Sequence, residues 1–254
     1  MSAEFLAPRL RRVRPSPTAA ISDQVRTLSA AGTDVINLGE GELDFDTPSH
    51  VKQAGIDAIV QGDTKYTAVA GTAALKQSII TKVNRENRIS YRPEEVIAGS
   101  GAKQLIFNAL LATVSAGDQV IIPAPYWVSY PDMVALAEGE SQIVPCLESN
   151  GWKLQPEVLA AAITPKTRWV ILNSPNNPTG AVYSADELRA LALVLLDHPQ
   201  VLVMADDIYE QICFVPGIFS TLAEVEPRLK DRILTVNGVS KGYSMTGWRL
   251  GYAG

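Results

Sequence analysis

Short apolar runs recur along the chain at intervals that leave room for one helix between each pair. The runs at 95–98, 119–122, 141–144, 168–172, 201–204 and 233–236 read as strands, most of them with no polar alternation. A strand without alternation is one that hides both of its faces. Helical spacing appears at 18–28, where Ile21, Val25 and Leu28 share a face, and again at 49–61, 72–88 and 104–114. Gly32 closes the helix at 18–28 as a C-cap. A further short strand is expected at 34–38, running into the glycine-rich Gly39-Glu40-Gly41-Glu42. The stretch 66–71 has no period and reads as a loop. Strands alternating with helices predict an α/β fold, a largely parallel sheet covered on both sides.

Composition narrows the function classes without changing that picture. Over 254 residues the chain is 46% hydrophobic and 19% charged, which describes a globular protein with ample core. A formal net charge of −5 provides no basic field, so nucleic acid is not an expected partner. No apolar run approaches the roughly 20 residues that span a bilayer, so no membrane is expected either. Arg9, Arg11, Arg12 and Arg14 have no apolar segment behind them, which argues against a secretory signal, and Glu4 argues against an organellar transit peptide. Cys146 and Cys213 lie far apart in apolar, strand-like surroundings and read as buried free thiols of a cytoplasmic protein. No metal-ligating set is singled out.

The chemistry should lie just past the C-terminal ends of the strands, where open parallel sheets bind ligands. After 119–122 comes Pro-Ala-Pro-Tyr126-Trp127, and after 168–172 comes Asn-Ser-Pro-Asn-Asn177-Pro-Thr-Gly. After 201–204 come Asp206 and Tyr209, and after 233–236 comes Lys241 in a turn of small residues. Taken singly, Asn-Pro-Thr-Gly is a turn and Asp206 a helix cap. Together they set an aromatic ring, an amide, a carboxylate with a phenol, and an amine along one edge. A lysine among small uncharged neighbours is readily kept neutral, and a neutral lysine attacks aldehydes. Arg249, eight positions on in a Gly-Trp-Arg-Leu-Gly-Tyr run that again reads as strand, is a natural phosphate partner. Gly99-Ser-Gly101-Ala102-Lys103 joins strand to helix and is a candidate anion site. It has neither P-loop nor dinucleotide spacing, which disfavours a nucleotide-binding protein.

The string Ser240-Lys-x-x-x-Met-Thr-Gly-Trp-Arg249-x-Gly-Tyr resembles the signature of class I aminotransferases, within the fold-type I pyridoxal phosphate superfamily. With Trp127, Asn177, Asp206 and Tyr209 the likeness extends over nearly the whole chain. It is greatest to the bacterial aspartate aminotransferases whose members often also use prephenate. The resemblance implies a three-layer sandwich with a seven-stranded sheet, the last strand antiparallel. Residues 46–254 would form the large, cofactor-binding domain, and 1–45 an N-terminal arm and part of a small domain. It implies pyridoxal 5′-phosphate as cofactor. Lys241 would carry it and move the substrate proton, Asp206 would pair with its ring nitrogen, and Tyr209 and Asn177 would bond its phenolic oxygen. Trp127 would stack on the ring, while Gly101, Ala102, Lys103 and Arg249 would hold the phosphate. Tyr66 would reach the phosphate of a neighbouring subunit, which implies a homodimer with shared sites. Gly41, with Trp127 and Asn177, would meet the substrate, and Ser16, Thr18 and Lys103 would read its distal carboxylate. Arg14 falls where a basic residue goes with prephenate use. The implied reaction moves an amino group between aspartate or glutamate and 2-oxo acids. An alanine or aromatic aminotransferase, a β-lyase, or a cofactor-binding fragment without turnover would carry the same cofactor residues. Two departures stand out. Leu43 replaces the usual proline of Gly-Glu-Pro-Asp-Phe, and the sequence stops where family members continue, short of the arginine expected to bind the substrate α-carboxylate.

Overall fold

In the computed structural model, which describes residues 5–13, 15–39 and 41–254, the strands join into one sheet. The chain order is α1 (Pro17–Ala30), α2 (Ser49–Val60), α3 (Ala73–Asn87), β1 (Ile97–Gly99), α4 (Ala102–Thr113), β2 (Gln119–Ala124) and α5 (Ser129–Leu136). It continues with β3 (Glu140–Pro145), α6 (Pro156–Ala162), β4 (Thr167–Asn173), α7 (Ala185–Leu196), β5 (Leu202–Asp206), α8 (Leu222–Val225), β6 (Ile233–Gly238) and β7 (Gly251–Ala253). The seven strands lie in the order β1-β7-β6-β5-β4-β2-β3. β2 through β6 pair in parallel, and β7 is antiparallel to both β6 and β1.

The absence of alternation in the strands has a direct structural cause. Successive residues of β4 feed opposite cores: Val170 and Leu172 pack with α3, α6, α7 and α8, while Trp169 and Ile171 pack with α4 and α5. Val203 and Ala205 of β5 join the first core, and Met204 joins the second. Both faces must therefore be apolar, which gives the three layers. Asp206 follows Met204 by two and so faces the α4–α5 side. Asp207 faces the other way.

Local signals set several element ends. Gly32, at φ +83°, follows α1, with its N–H on Ser29 O and the Thr33 N–H on Leu28 O. This is the glycine-terminated helix end that orphan carbonyls favour. Ser184 and Glu187 form a reciprocal capping box on α7.

Three expectations are corrected. Residues 34–38 lie in no strand, and Ile36 and Leu38 are almost wholly exposed. Without a neighbouring strand to complete a ladder, β-propensity alone does not make one. The run around Arg249 is mostly not strand either. It is a 3-10 turn (Thr246–Trp248), then Arg249 in the left-handed region at φ 53°, and only Gly251–Ala253 pairs. Cys146 is buried as expected, but Cys213 sits half-exposed in the irregular stretch after β5.

Candidate active site

The ends of β4, β5 and β6 are tied together by the residues that end β4 and β5. Asn173 closes β4 and donates its amide to Asp206 O at 2.8 Å, while its own Oδ1 accepts from the Asn177 N–H at 2.8 Å. One side chain thus sets the Asn177 loop against the end of β5. Asn177 Nδ2 then donates to the Tyr209 hydroxyl at 3.3 Å. Across β5, the Asp207 N–H donates to Val236 O at 2.9 Å, which fixes the approach of β6 and the lysine turn behind it.

Lys241 is half-buried, with Nζ 5.9 Å from the centre of the Tyr209 ring, and it donates to the carbonyl of Gly41. That contact brings the N-terminal segment onto the lysine turn. Three further contacts hold it there: Thr47 Oγ1 donates to Ser244 O at 2.6 Å, Trp248 Nε1 donates to Thr47 Oγ1 at 3.2 Å, and Thr246 bonds Glu42. Gly55 of α2 completes the seam, since a Cβ there would stand 2.9 Å from the Trp248 ring.

Asp206 is 3% exposed, and burial pushes its carboxyl up to about 6. Desolvation of the charged form outweighs the two donors that oppose it, the Tyr130 hydroxyl at 2.5 Å and the Ile208 N–H at 3.4 Å. These are its side-chain partners among the described residues, and neither is a cation. Asp207, on the opposite face, is pushed up to about 7 by burial, with Asp206 adding to the shift and Lys82 opposing it.

The anion site is built from backbone. Gly101 precedes α4 at φ +84°, and α4 begins without a side-chain cap, leaving its first N–H groups for a ligand. A Cβ on Gly101 would lie 2.3 Å from Arg249 Nη2, so glycine is what allows the guanidinium to reach this turn. A Cβ on Gly251 would lie equally close, 2.3 Å, to Ala102 N, so β7 approaches the same turn through backbone. Arg249 is aimed by Nη1 donating to Thr246 O at 2.8 Å. Lys103, also in the first turn of α4, has Nζ 4.7 Å from the centre of the Trp127 ring, and burial followed by Arg249 lowers its pKa.

Trp127, Asn177, Asp206, Tyr209 and Lys241, with the Gly101–Lys103 turn, Arg249 and Gly41, therefore lie along one edge, joined by the bonds and close approaches just given. Tyr66 does not join them: it is fully exposed. Ser16 caps α1 through the Ala19 N–H at 3.4 Å, and the Thr18 carbonyl accepts from Ser22 Oγ at 3.0 Å, both bonds within that helix. Arg14 lies outside the described residues. Sequence reasoning missed Tyr130, whose Trp127-x-x-Tyr130 spacing at the start of α5 was the available signal. It also missed Asn173, a polar residue at the end of an apolar strand.

The arrangement can hold an anionic group at a helix N-terminus, face a protonated nitrogen with a buried carboxylate, and present an amine on the same sheet edge. That combination belongs to an identifiable class of protein. The chain matches the family model for aminotransferase class I and II over residues 33–254, and it belongs to that family. It is 57% identical over 249 residues to the aspartate/prephenate aminotransferase of Cereibacter sphaeroides, covering 98% of this chain and 62% of the relative. The probable aspartate/prephenate aminotransferase of Rhizobium leguminosarum bv. phaseoli is 55% identical with the same coverage. Among solved structures, the aspartate aminotransferase of Rhizobium meliloti superposes with a TM-score of 0.94 at 52% identity, over 98% of this chain and 62% of that one. The Thermus thermophilus aspartate aminotransferase with maleate gives 0.93 at 43% identity, over 98% and 64%. The chain thus spans about 62% of the length of the curated relatives it matches.

Proposed function

We propose that this chain binds pyridoxal 5′-phosphate and serves an aminotransferase that moves an amino group between aspartate or glutamate and 2-oxo acids, with prephenate as a further acceptor. The observation that carries the reading is Asp206: a carboxylate 3% exposed at a strand end, with no cation among its side-chain partners in the described residues. Such a charge is costly unless a protonated group sits against it. The protonated ring nitrogen of the cofactor is such a group, and the anion turn and the Lys241 amine lie on the same sheet edge.

Bound there, pyridoxal phosphate supplies an electron sink for the bonds at the substrate Cα. The chain's residues do the rest. Arg249 and the N–H groups of the Gly101–Lys103 turn take the phosphate, and Trp127 covers one face of the ring. Asp206 holds the proton on the ring nitrogen, which keeps the sink effective. Tyr209 and Asn177 bond the phenolic oxygen and set its charge. Lys241 would hold the cofactor through its side-chain amine and would carry the proton at the substrate Cα. Gly41, with Trp127 and Asn177, would meet the substrate carboxylate; Lys103, Ser16 and Thr18 would read its distal carboxylate, and Arg14 would serve prephenate use. In this reading residues 46–254 are the cofactor domain and 1–45 the arm and part of a second domain. Tyr66 serves the site of a second copy in a homodimer. The free thiols suit the reducing cytoplasm.

The test is substrate preference. In protein extended to family length, aspartate should exceed alanine in kcat/KM by about 100-fold or more, roughly 3 kcal/mol of distal-carboxylate recognition. Equal values would remove the dicarboxylate assignment and favour an alanine or aromatic aminotransferase.

A further inference from the structure

Tyr130 is fully buried on α5 and belongs to none of the roles assigned above. Its hydroxyl donates to Asp206 Oδ2 at 2.5 Å, and its ring meets Trp127 edge-on at 5.3 Å with an interplanar angle of 89°. The two residues that would touch the cofactor ring, one at its edge and one on its face, are thus both fixed by one side chain. We propose that Tyr130 is a positioning residue that keeps the Asp206 carboxylate ionised and turned toward the ring nitrogen. The inference rests on the cofactor reading.

The argument is one of proton competition. A carboxylate stripped of water binds a proton more tightly, and burial dominates at Asp206. A proton shared between Asp206 and a ring nitrogen would then drift toward the carboxylate. A donor on Oδ2 lowers the basicity of the carboxylate and returns the proton to nitrogen. Tyr130 is suited to this because it remains neutral: burial, then the charge of Asp206, drives its own pKa well above the usual value. With Oδ2 occupied by the phenol, Oδ1 is the oxygen left to face the ligand, steadied by the Ile208 N–H at 3.4 Å.

The experiment loads the purified chain with pyridoxal phosphate labelled with ¹⁵N in the ring. It compares wild type with Tyr130→Phe by ¹⁵N NMR, cofactor titration and thermal unfolding of the cofactor-free protein. The expected result is a nitrogen shift at the protonated position in wild type that moves toward the unprotonated position in Tyr130→Phe, with cofactor affinity about tenfold weaker, the effect of losing one charge-assisted hydrogen bond. Incorporating 3-fluorotyrosine at 130 keeps the packing and makes the phenol a stronger donor, so it should move the nitrogen shift further toward the fully protonated limit than wild type, and a shift equal to wild type would overturn the proposal. This comparison decides the matter even if Tyr130→Phe folds poorly. An unchanged nitrogen shift in Tyr130→Phe, or a move toward the unprotonated position with fluorotyrosine, overturns the proposal and leaves Tyr130 as packing. Wild type that binds no cofactor overturns the reading beneath it, an outcome visible before any variant is compared.

Discussion

At the residue scale, buried carboxylates and missing Cβ atoms define the site. Asp206 and Asp207 both have folded pKa values above those of an unfolded chain, about 6 and about 7. The folded cofactor-free protein therefore binds more protons than the unfolded one between roughly pH 4 and 7. Its stability should fall as pH rises through that window and then level off. Asp206→Asn should flatten part of the slope in urea unfolding followed against pH, and an unchanged slope would mean that the aspartate is not desolvated. Gly101→Ala adds a Cβ 2.3 Å from the Arg249 guanidinium at a φ of +84°. It should cost about 1–3 kcal/mol of stability and weaken binding of the cofactor or of inorganic phosphate at least as much. Calorimetric titration would check this, and wild-type affinity would show that the turn binds no anion.

At the element scale, the sheet was readable because its cause is simple. Strands buried on two faces must be apolar throughout, so β4 and β5 announce themselves with Trp-Val-Ile-Leu and Val-Leu-Val-Met. The strand-end residues were legible for a related reason: polar groups such as Asp206 and Lys241 that follow such runs are placed at the sheet edge by topology. What was not legible depends on tertiary partners. The apolar residues of 34–38 lack a partner strand, and Arg249 reaches its place against Gly101, a residue far from it in sequence. Tyr130 offered only its spacing from Trp127 as a signal, because a core tyrosine and an Asp-bonded phenol look alike until the helix is docked. The capping box on α7 gives a direct check. Ser184→Ala removes the acceptor of the Glu187 N–H at 3.3 Å and should cost about 1 kcal/mol in chemical denaturation, without altering cofactor binding. A loss of binding as well would show that α7 couples to the site.

At the scale of the whole molecule, several large apolar residues away from the strand-end site stay exposed. Ile56, Ile59 and Val60 of α2, with Ile36, Leu38, Tyr66 and Val69, are all exposed. Exposed apolar residues of this kind are what the proposed homodimer would cover. Sedimentation should give about twice the 27.3 kDa of one chain, and Ile59→Asp should lower that mass without unfolding the sheet. A monomer with these residues intact would remove the shared-site reading of Tyr66. Residue, element and molecule meet at Lys241, held by the end of β6, facing Tyr209 and tied to Gly41. The most direct measurement is to incubate the chain with pyridoxal phosphate, reduce with borohydride and map the modified peptide. The account predicts a single label on Lys241, and a label confined to another lysine, or none at all, would contradict it.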